Sequence, residues 1–581
     1  MAPFHSFLSL LWLLLCGVAN AQGLDQPIAQ SNKAVRFEIT LTWEEWSATG
    51  APRKMILTNG QFPAPALQLC QGDNVEFLVT NKLPVASAVH FHGISQTGTP
   101  WSDGVPGLSQ KPIPPGGQFL YKWRATEYGS YFYHAHSRGQ VEDGLYGAIY
   151  IRPDDTIKRP FKLIADDEND LRAMRKAEDQ TRPIILSDWR QVTSEEMWRV
   201  QKETGLEAYC VNALLINGKG SVNCLGEKAL DEATTPEHRM ILGKQSLSDI
   251  GCMPPTLVQG DYPHNLTDVP SSFWSGCVPS QGAHERVSVQ PFDKYVSYDL
   301  IGAAGLAMTV FSIDEHPMWI YAVDGRYVEP AKADSLIIAN GNRYSVLVAL
   351  DKPAGDYTIR VANQGINQII NSTAVMSYTS PPKNPRRAST PSIDITGVPL
   401  GKHTVLNDNK LVPFPVEVPS QDVAQTHPPT LPRARHPLLF HPDSGPKDLT
   451  ISTQNGTWVD LVFAAVRPLQ PPHPFHKHSN KFFVIGAGDG EWNYTSVADA
   501  VRHRPGDFNL KTPQIRDTAT TPPAATGPTW MAIRYHVVNP GAFLLHCHIQ
   551  VHLTGGMGVV LLDGVDEWPE IPEEYREVEA L

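Results

Sequence analysis

Histidines spaced two residues apart recur at four places in this 581-residue chain, and the spacing limits the backbone that can carry them. Side chains alternate between the two faces of a β-strand, so residues i and i+2 point the same way. Apolar flanks such as YFYHAH and FLLHCHIQVHL favour buried strands at these places. The four pairs are His90/His92, His134/His136, His476/His478 and His546/His548.

Eight imidazoles on strand faces exceed what one metal ion can bind, and they suit a cluster of two or three ions. Neutral imidazole binds copper, zinc, iron and nickel. A structural zinc site takes four ligands and favours paired cysteines, which these segments lack. The pattern therefore predicts a redox-metal cluster held by histidines from both ends of the chain.

Cys547 lies between two of these histidines, so on a strand its side chain points to the opposite face. There it can meet His473 and His552. Two histidines and a thiolate, with a weak axial thioether, form the ligand set of a blue copper electron-transfer site, and Met557 in HLTGGM can supply the thioether. The Cys547 backbone would join this site to the cluster over on the order of 10 Å.

Chain length and turn residues indicate several strand-rich domains. The length favours three or four domains, and 50 prolines with 44 glycines favour short strands joined by turns. LTNGQFPAP at 57–65 is similar to LLINGKG at 214–220, and HPMWIYAVDG at 316–325 to HPFHKHSNKFFVIG at 473–486, which indicates ancient duplication. We predict a signal peptide over 1–21, domains over 22–152, 181–378 and 403–581, and linkers over 153–180 and 379–402.

The first residues predict secretion. An apolar run from Phe7 to Val18 ends at the small-x-small site Ala19-Asn20-Ala21, which predicts cleavage before Gln22. No other run approaches the roughly 18 apolar residues of a membrane span, so none is predicted. We expect an extracellular or cell-wall glycoprotein. The candidate glycosylation sites are Asn265, Asn371, Asn455 and Asn493.

Six cysteines remain once Cys16 leaves with the signal peptide, and an oxidising compartment favours their pairing. The natural local pairs are Cys210–Cys224 and Cys252–Cys277. Because Cys547 is predicted to bind metal, the pairing of Cys70 stays open.

Other functional signals in the chain are weak. A net charge of -12 and a pI near 5.9 argue against a nucleic-acid partner. The dinucleotide-like GAGDG at 486–490 is followed by EWNYTS, which has no helical pattern, so we interpret it as a turn. His316 in EHPMW has no partner histidines, and we interpret it as a vestige of duplication and not a ligand.

The motifs HFHG, HAH, HPFHKH and HCHIQVH, in this order, resemble those of the multicopper oxidase family. The segments TNGQFPAPAL, PWSDGVPGLSQ, IRDTATTP and NPGAFLLHCHIQVHLTGGMG extend the resemblance over essentially the mature chain. The details are similar to laccase-like and ascorbate-oxidase-like enzymes of filamentous fungi, several of which serve pigment or phenolic secondary metabolism.

The resemblance implies an all-β chain of three cupredoxin-like Greek-key barrels and four copper ions. It places a type 1 copper in the third domain and a three-copper cluster between the first and third, with no copper ligands in the second. The implied type 1 ligands are His473, Cys547, His552 and axial Met557. The implied type 2 ligands are His90 and His476. The implied type 3 ligands are His92, His134, His136, His478, His546 and His548.

Two departures from the family pattern bear on mechanism. Ser479 follows HPFHKH where the family usually has glycine, and it is not a ligand. Gln550 follows HCHI where the family usually has a carboxylate that helps deliver protons, and an amide cannot relay a proton in that way. Asp103 in WSDG remains as the acid implied beside the cluster. Methionine at 557 implies a low-to-moderate type 1 potential.

These motifs predict a laccase-like enzyme that oxidises phenolic substrates by single electrons and reduces dioxygen to water, with radical coupling in pigment or secondary-metabolite assembly as one use. Ascorbate oxidase is the first alternative, because HSRGQVEDGLYG and the axial methionine resemble that group. Ferroxidase and a non-catalytic copper electron carrier are further alternatives. A carrier needs one blue site only, so total copper per chain separates it from an oxidase. Oligomeric state is not predicted.

Overall fold

The computed structural model describes residues 34–259, 263–378, 388–427, 450–467 and 470–576. Strands dominate these ranges, and the predicted all-β class is confirmed. The predicted signal peptide lies outside the described residues.

The first domain is a pair of four-stranded sheets, with strand orders β2-β1-β4-β6 and β3-β8-β7-β5. Alternating burial along β4 turns Val75, Phe77 and Val79 inward, and the Phe77 ring meets those of Phe91 and Tyr133 edge-on. The strands are β1 Val35–Trp46, β2 Arg53–Thr58, β3 Leu67–Cys70, β4 Asn74–Asn81, β5 Val89–His92, β6 Gln118–Arg124, β7 Gly129–Ala135 and β8 Tyr146–Arg152.

Helix α1, Glu168–Asp179, lies in the segment predicted as the first linker. It begins at Asp167, whose carboxylate accepts hydrogen bonds from the N–H groups of Asn169 and Asp170. Its buried side chains Leu171 and Met174 pack with Tyr321 and Leu347 of the second domain.

The second domain has sheets ordered β10-β9-β12-β17-β14-β15 and β11-β19-β18-β13-β16. Its strands are β9 Arg182–Trp189, β10 Ala213–Ile216, β11 Arg286–Val289, β12 Tyr295–Gly302, β13 Thr309–Ile313, β14 Met318–Val323, β15 Arg326–Ala333, β16 Ser335–Ile338, β17 Arg343–Ala349, β18 Asp356–Asn363 and β19 Asn371–Tyr378. Four helices lie outside the sheets: α2 Ser194–Thr204, α3 Glu227–Ala233, α4 Pro236–Leu242 and α5 Pro255–Val258.

The predicted pairing of neighbouring cysteines is wrong. The disulfides join Cys210 to Cys252 and Cys224 to Cys277, with Cα–Cα distances of 6.1 and 5.8 Å. Strand β10 runs between Cys210 and Cys224 and carries them apart. The amide of Gln368 accepts from the Val211 N–H and donates to the Ile250 carbonyl, which brings the Cys210 and Cys252 segments together.

The third domain repeats this plan with sheets ordered β20-β22-β27-β24-β25 and β21-β29-β28-β23-β26. Its strands are β20 Gln425–His427, β21 Thr450–Ser452, β22 Trp458–Ala465, β23 Pro474–Lys477, β24 Phe482–Asp489, β25 Gln514–Arg516, β26 Thr518–Thr520, β27 Thr529–His536, β28 Gly541–Cys547 and β29 Gly558–Asp563. Its helices are α6 Val497–His503, α7 Gln550–Thr554 and α8 Glu573–Arg576.

Short 3₁₀ helices complete the secondary structure of the described ranges, at Pro100–Ser102, Pro160–Leu163, Leu266–Asp268, Ser271–Phe273, Pro291–Asp293, Asp408–Lys410 and Pro505–Asp507. In those ranges no helix has the length and apolar character needed to cross a membrane. Of the four glycosylation candidates, Asn265 and Asn493 are exposed, whereas Asn371 and Asn455 are partly buried.

Candidate metal centre

Two pairs of antiparallel strands carry the histidine pairs. In the first domain β5 pairs with β7 so that His90 lies opposite His134. In the third domain β23 pairs with β28 so that His476 lies opposite His546. The other member of each pair lies two residues along the same face or just beyond the strand end, and the two sets meet between the domains.

The hydrogen bonds of His90 and His476 leave two bare nitrogens facing each other. The Nδ1 atoms lie 2.6 Å from the Asp103 carbonyl and 2.9 Å from the Asp517 carbonyl. Carbonyl oxygens only accept, so both Nδ1 atoms carry the proton and both Nε2 atoms present lone pairs. These Nε2 atoms are 3.4 Å apart, an unfavourable approach that a shared cation would make favourable.

A second pair of facing lone pairs lies between His478 and His546. Their Nδ1 atoms lie 2.9 Å from an Asp103 carboxylate oxygen and 2.9 Å from the Cys547 carbonyl, and their Nε2 atoms are 3.3 Å apart. The Nε2 atoms of His134 and His136 are buried, and no described residue bonds to them. Bare, buried nitrogens of this kind fit a metal cluster.

The donor atoms fall into groups whose members lie within 4.8 Å of one another. The groups are His90/His92/His476, His92/His134/His548, His136/His478/His546, His473/Cys547/His552 and His90/Asp103/His478. The eight histidines predicted to form the cluster are therefore brought together, and three of the four predicted type 1 ligands meet at a separate point.

Burial lowers the pKa of seven cluster imidazoles and so favours the neutral form, which is the form that binds metal. It lowers the pKa of His134 to about 3 and that of His546 to about 4. It also holds the pKa values of His136 and His548 well below the usual range. Metal ions therefore compete with few protons for these nitrogens near neutral pH.

The thiol of Cys547 faces away from the cluster. Its Sγ lies 3.8 Å from Nδ1 of His473 and 3.5 Å from Nδ1 of His552, which α7 carries. Cys547 is fully buried, and Met557 packs against the same small apolar cluster and accepts the Cys547 N–H at its carbonyl. The two histidines, the thiol and the methionine predicted for a blue copper site are thus neighbours around a buried sulfur.

Asp103 is buried at the end of the Pro100–Ser102 turn, between histidines of two domains. One carboxylate oxygen lies 2.9 Å from Nδ1 of His478. The other lies 3.4 Å from Nδ1 of His90 and has no hydrogen-bond partner among the described residues. This carboxylate can accept or hold a proton in direct contact with two cluster histidines.

A cavity of about 300 Å³ reaches the cluster. Its lining includes His134, His136, His546, Arg138 and Gln550. A small molecule can therefore approach three cluster histidines through this cavity. The amide of Gln550 forms part of the cavity wall.

Sequence reasoning missed Glu207, whose carboxylate lies 3.3 Å from Nε2 of His552. It comes from the segment that follows α2 in the second domain, 345 residues before its partner, and no local pattern marks it. His316 is a satisfied core histidine: Nδ1 donates to the Asp314 carbonyl and Nε2 lies 2.8 Å from the Tyr378 hydroxyl. The GAGDG segment is the end of β24 and the residue after it.

Comparisons with known proteins agree with this geometry. Family models described as multicopper oxidase match residues 40–156, 180–381 and 418–567. The chain is 43% identical over 565 residues to Laccase abr2 of Aspergillus fumigatus, with 92% of this chain and 95% of that protein covered. It is 39% identical over 593 residues to Laccase 1 of Metarhizium acridum, with 94% and 96% covered.

Solved structures share the fold. The laccase from Botrytis aclada superposes with a TM-score of 0.67 at 22% identity, covering 94% of this chain and 90% of that one. Fet3p, described as a multicopper oxidase that functions in iron import, gives a TM-score of 0.64 at 22% identity and covers 94% of each. The predicted cupredoxin-like architecture is confirmed.

Proposed function

The chain belongs to the multicopper oxidase family, and from this premise we propose that it oxidises small phenolic molecules one electron at a time while dioxygen is reduced to water. It is a laccase-like, copper-dependent oxidoreductase that uses dioxygen.

Four copper ions per chain are proposed. The type 1 ligands would be His473, Cys547, His552 and Met557. The type 2 ligands would be His90 and His476. The type 3 ligands would be His92, His134, His136, His478, His546 and His548. Copper bound at such sites supplies one-electron transfer from the reductant and the four-electron reduction of dioxygen.

The position of Cys547 is the observation that carries the proposal. Its side chain faces His473 and His552, while its two peptide bonds join it directly to two cluster histidines. A site for one-electron oxidation and a site for dioxygen are thus linked by covalent bonds. An electron carrier needs no such second site, so this linkage supports an oxidase.

Glu207 supports a phenolic reductant. Oxidation of a phenol by one electron releases a proton from its hydroxyl, and a carboxylate beside the electron acceptor can take that proton. Glu207 lies 3.3 Å from the Nε2 of His552, and about a third of its side chain is exposed. A phenol that approaches His552 can therefore donate a hydrogen bond to Glu207.

Asp103 is proposed to pass on, one at a time, protons from solvent that accompany the four electrons in the reduction of dioxygen to two waters. It contacts His478 and His90, and one of its oxygens is free of hydrogen bonds among the described residues. Gln550 lines the approach cavity but cannot release a proton. Of Asp103 and Gln550, only Asp103 could therefore supply protons to the cluster.

Oxygen uptake by the copper-loaded protein tests the reductant. A diphenol and ascorbate are compared at matched concentration, with copper per chain measured on the same sample. We expect about four copper ions per chain, because four ions can hold the four electrons that reduce one dioxygen molecule. We also expect faster oxygen uptake with the diphenol than with ascorbate. Faster uptake with ascorbate would replace the phenolic assignment with ascorbate oxidation. About one copper would contradict the oxidase proposal.

Secretion and radical coupling are proposed as the biological setting. Secretion predicts a mature N-terminus at Gln22 and mass loss on enzymatic deglycosylation. Radical coupling predicts dimeric products from a simple phenol, detectable by mass spectrometry. Monomeric quinones alone, with no dimer, would contradict a coupling role.

A further inference from the structure

The second domain touches the histidine cluster, although none of its described residues belongs to a ligand group. A Cβ at Gly341 would lie 2.9 Å from Cε1 of His92 and 3.0 Å from Cδ2 of His548, and the residue has φ +89°. The backbone of this turn therefore lies against two imidazoles. Next to it, the Asn342 amide donates to the Thr518 carbonyl at 2.9 Å.

Arg343 extends this contact into all three domains. Its guanidinium is fully buried and donates to both carboxylate oxygens of Asp517, at 2.5 and 2.6 Å. It also donates to the Ser130 carbonyl of the first domain. Lys481 donates to the same carboxylate at 2.6 Å. Two cationic side chains therefore face this buried carboxylate.

The carboxylate of Asp517 orients a hydroxyl between two cluster histidines. Thr518 Oγ1 donates to Asp517 at 3.1 Å. The same oxygen lies 3.1 Å from Nε2 of His92 and 3.1 Å from Nδ1 of His476. Because its own proton points to Asp517, the hydroxyl accepts a hydrogen bond from the His92 ring and shares the His476 Nδ1–H with the Asp517 carbonyl.

The hydroxyl, helped at His476 by the Asp517 carbonyl, selects the ring nitrogens that would face a metal ion. These hydrogen bonds leave the lone pair of His92 on Nδ1, 3.2 Å from Nε2 of His548, and that of His476 on Nε2, 3.4 Å from Nε2 of His90. Partners of this kind, placed behind metal ligands, fix the tautomer and orientation of the ring. Both rings also stack on each other, with centroids 3.6 Å apart, so one cannot turn without the other.

We infer that Arg343 of the second domain is a positioning residue for the cluster, acting through Asp517 and Thr518 on His92 and His476. The inference rests on the proposed function only in taking these histidines as copper ligands. A purely structural role would make the ion pair between Arg343 and Asp517 a domain clamp with no effect on copper.

The test compares Arg343→Met with Arg534→Met in the full-length, copper-loaded protein. Arg534 forms an equally buried bidentate pair with Asp460 inside the third domain, at 2.6 and 2.9 Å, and neither residue belongs to a ligand group. Readouts are the type 2 copper EPR spectrum, the blue absorption and the chelator concentration that removes half of the cluster copper.

For Arg343→Met we expect retained blue absorption, an altered type 2 spectrum and cluster copper lost at about 10- to 100-fold lower chelator concentration. Arg534→Met should keep the wild-type spectrum and copper retention. If Arg343→Met fails to fold, Thr518→Val is the second variant, because it removes the hydroxyl and leaves the ion pair intact. Thr518→Val should alter the type 2 spectrum, and Thr518→Ser should restore it.

Wild-type spectra and copper retention in both Arg343→Met and Thr518→Val would overturn the inference. So would equal copper loss in the Arg534→Met control. Failure of the proposed function is distinguishable, since the wild-type protein itself would then lack cluster copper or consume no oxygen.

Discussion

The second and third domains share a strand plan. Among the described residues of these two domains, however, only the third domain contributes candidate metal ligands, including His473, Cys547 and His552, which form a group by themselves. The plan can be matched residue by residue. Phe311 pairs with Val361 across β13 and β18, and Phe475 pairs with Cys547 across β23 and β28. Val361 of the second domain is therefore the equivalent of Cys547.

The same register shows what replaced the histidines. Arg360 and Asp314 stand at the positions of His546 and His478, and they form a bidentate ion pair at 2.8 and 2.9 Å. An ion pair and a valine thus fill the place that proposed ligands occupy in the third domain. The ion pair and the valine fill the core of the second domain without a metal. The proposed copper chemistry therefore depends on a few side chains carried by a scaffold that both domains share.

His316, interpreted above as a vestige of duplication and not a ligand, has no ligand candidate at the equivalent position of the third domain. It lies five residues after Phe311, and Asn480 lies five after Phe475, so these two are equivalent. The preceding residues Glu315 and Ser479 have φ of 61° and 64°. The strand therefore ends in the same left-handed turn in both domains, a conformation that suits the glycine usual in the family at 479.

The first domain is intermediate between the other two in the candidate ligands that it carries. His90 pairs with His134 as His476 pairs with His546, which makes Ala135 the equivalent of Cys547. This domain therefore presents cluster histidines with no thiol behind them. Electrons from the reductant are therefore expected to enter through the third domain and not through the first.

Replacing the thiolate should have the largest effect. We expect Cys547→Ser to abolish the blue absorption and substrate oxidation, because the hydroxyl is a poor copper ligand, with the fold retained. Val361→Thr, at the equivalent position of the second domain, should leave both unchanged. Absorption spectra, oxygen uptake and circular dichroism check this, and blue colour in Cys547→Ser would contradict the assignment.

Asp103→Asn should slow dioxygen reduction by about 100-fold, because the amide can still accept from His478 but holds no proton to give. Reduction of the type 1 site by a diphenol without oxygen should keep its wild-type rate, since Asp103 lies at the cluster. Stopped-flow absorption separates the two steps. An unchanged turnover would remove Asp103 from the proton path.

The second domain, which holds none of the proposed copper ligands, should lose stability as the pH rises from acid to neutral. Burial raises the pKa of Asp299 to about 7, far above its unfolded value near 3.8. The stability gained by keeping it protonated is present at acid pH and falls as pH rises to about 7, by on the order of a few kcal/mol. Calorimetry between pH 5 and 8 should show a falling midpoint for the wild type.

Asp299→Asn should flatten that pH dependence, because the amide cannot ionise and can still accept the Ser345 hydroxyl hydrogen bond. A midpoint that falls as steeply as in the wild type would assign the loss to another group.

Met557→Leu should have the smallest effect, a rise in the type 1 potential with oxidase activity retained, because a weak axial ligand is removed. Met531→Leu, a buried change in the same domain but outside the apolar cluster of Cys547, is the control. Redox titration of the blue absorption measures both. No rise for Met557→Leu would mean that this methionine is not axial.

The sequence alone determined the parts of the site that strand geometry repeats every second residue. Histidines at i and i+2 share a face and Cys547 takes the opposite one, whatever the rest of the chain does. The all-β class follows from the same pattern, and both were predictable because they depend on neighbours in sequence.

Only the tertiary structure decided which distant segments meet. The pairing of Cys210 with Cys252, the approach of Glu207 to His552 and the bond between Arg343 and Asp517 join residues 42, 345 and 174 positions apart. No periodicity spans such separations. Each contact depends on how whole sheets dock, and docking is set by the summed packing of many side chains rather than by any one motif.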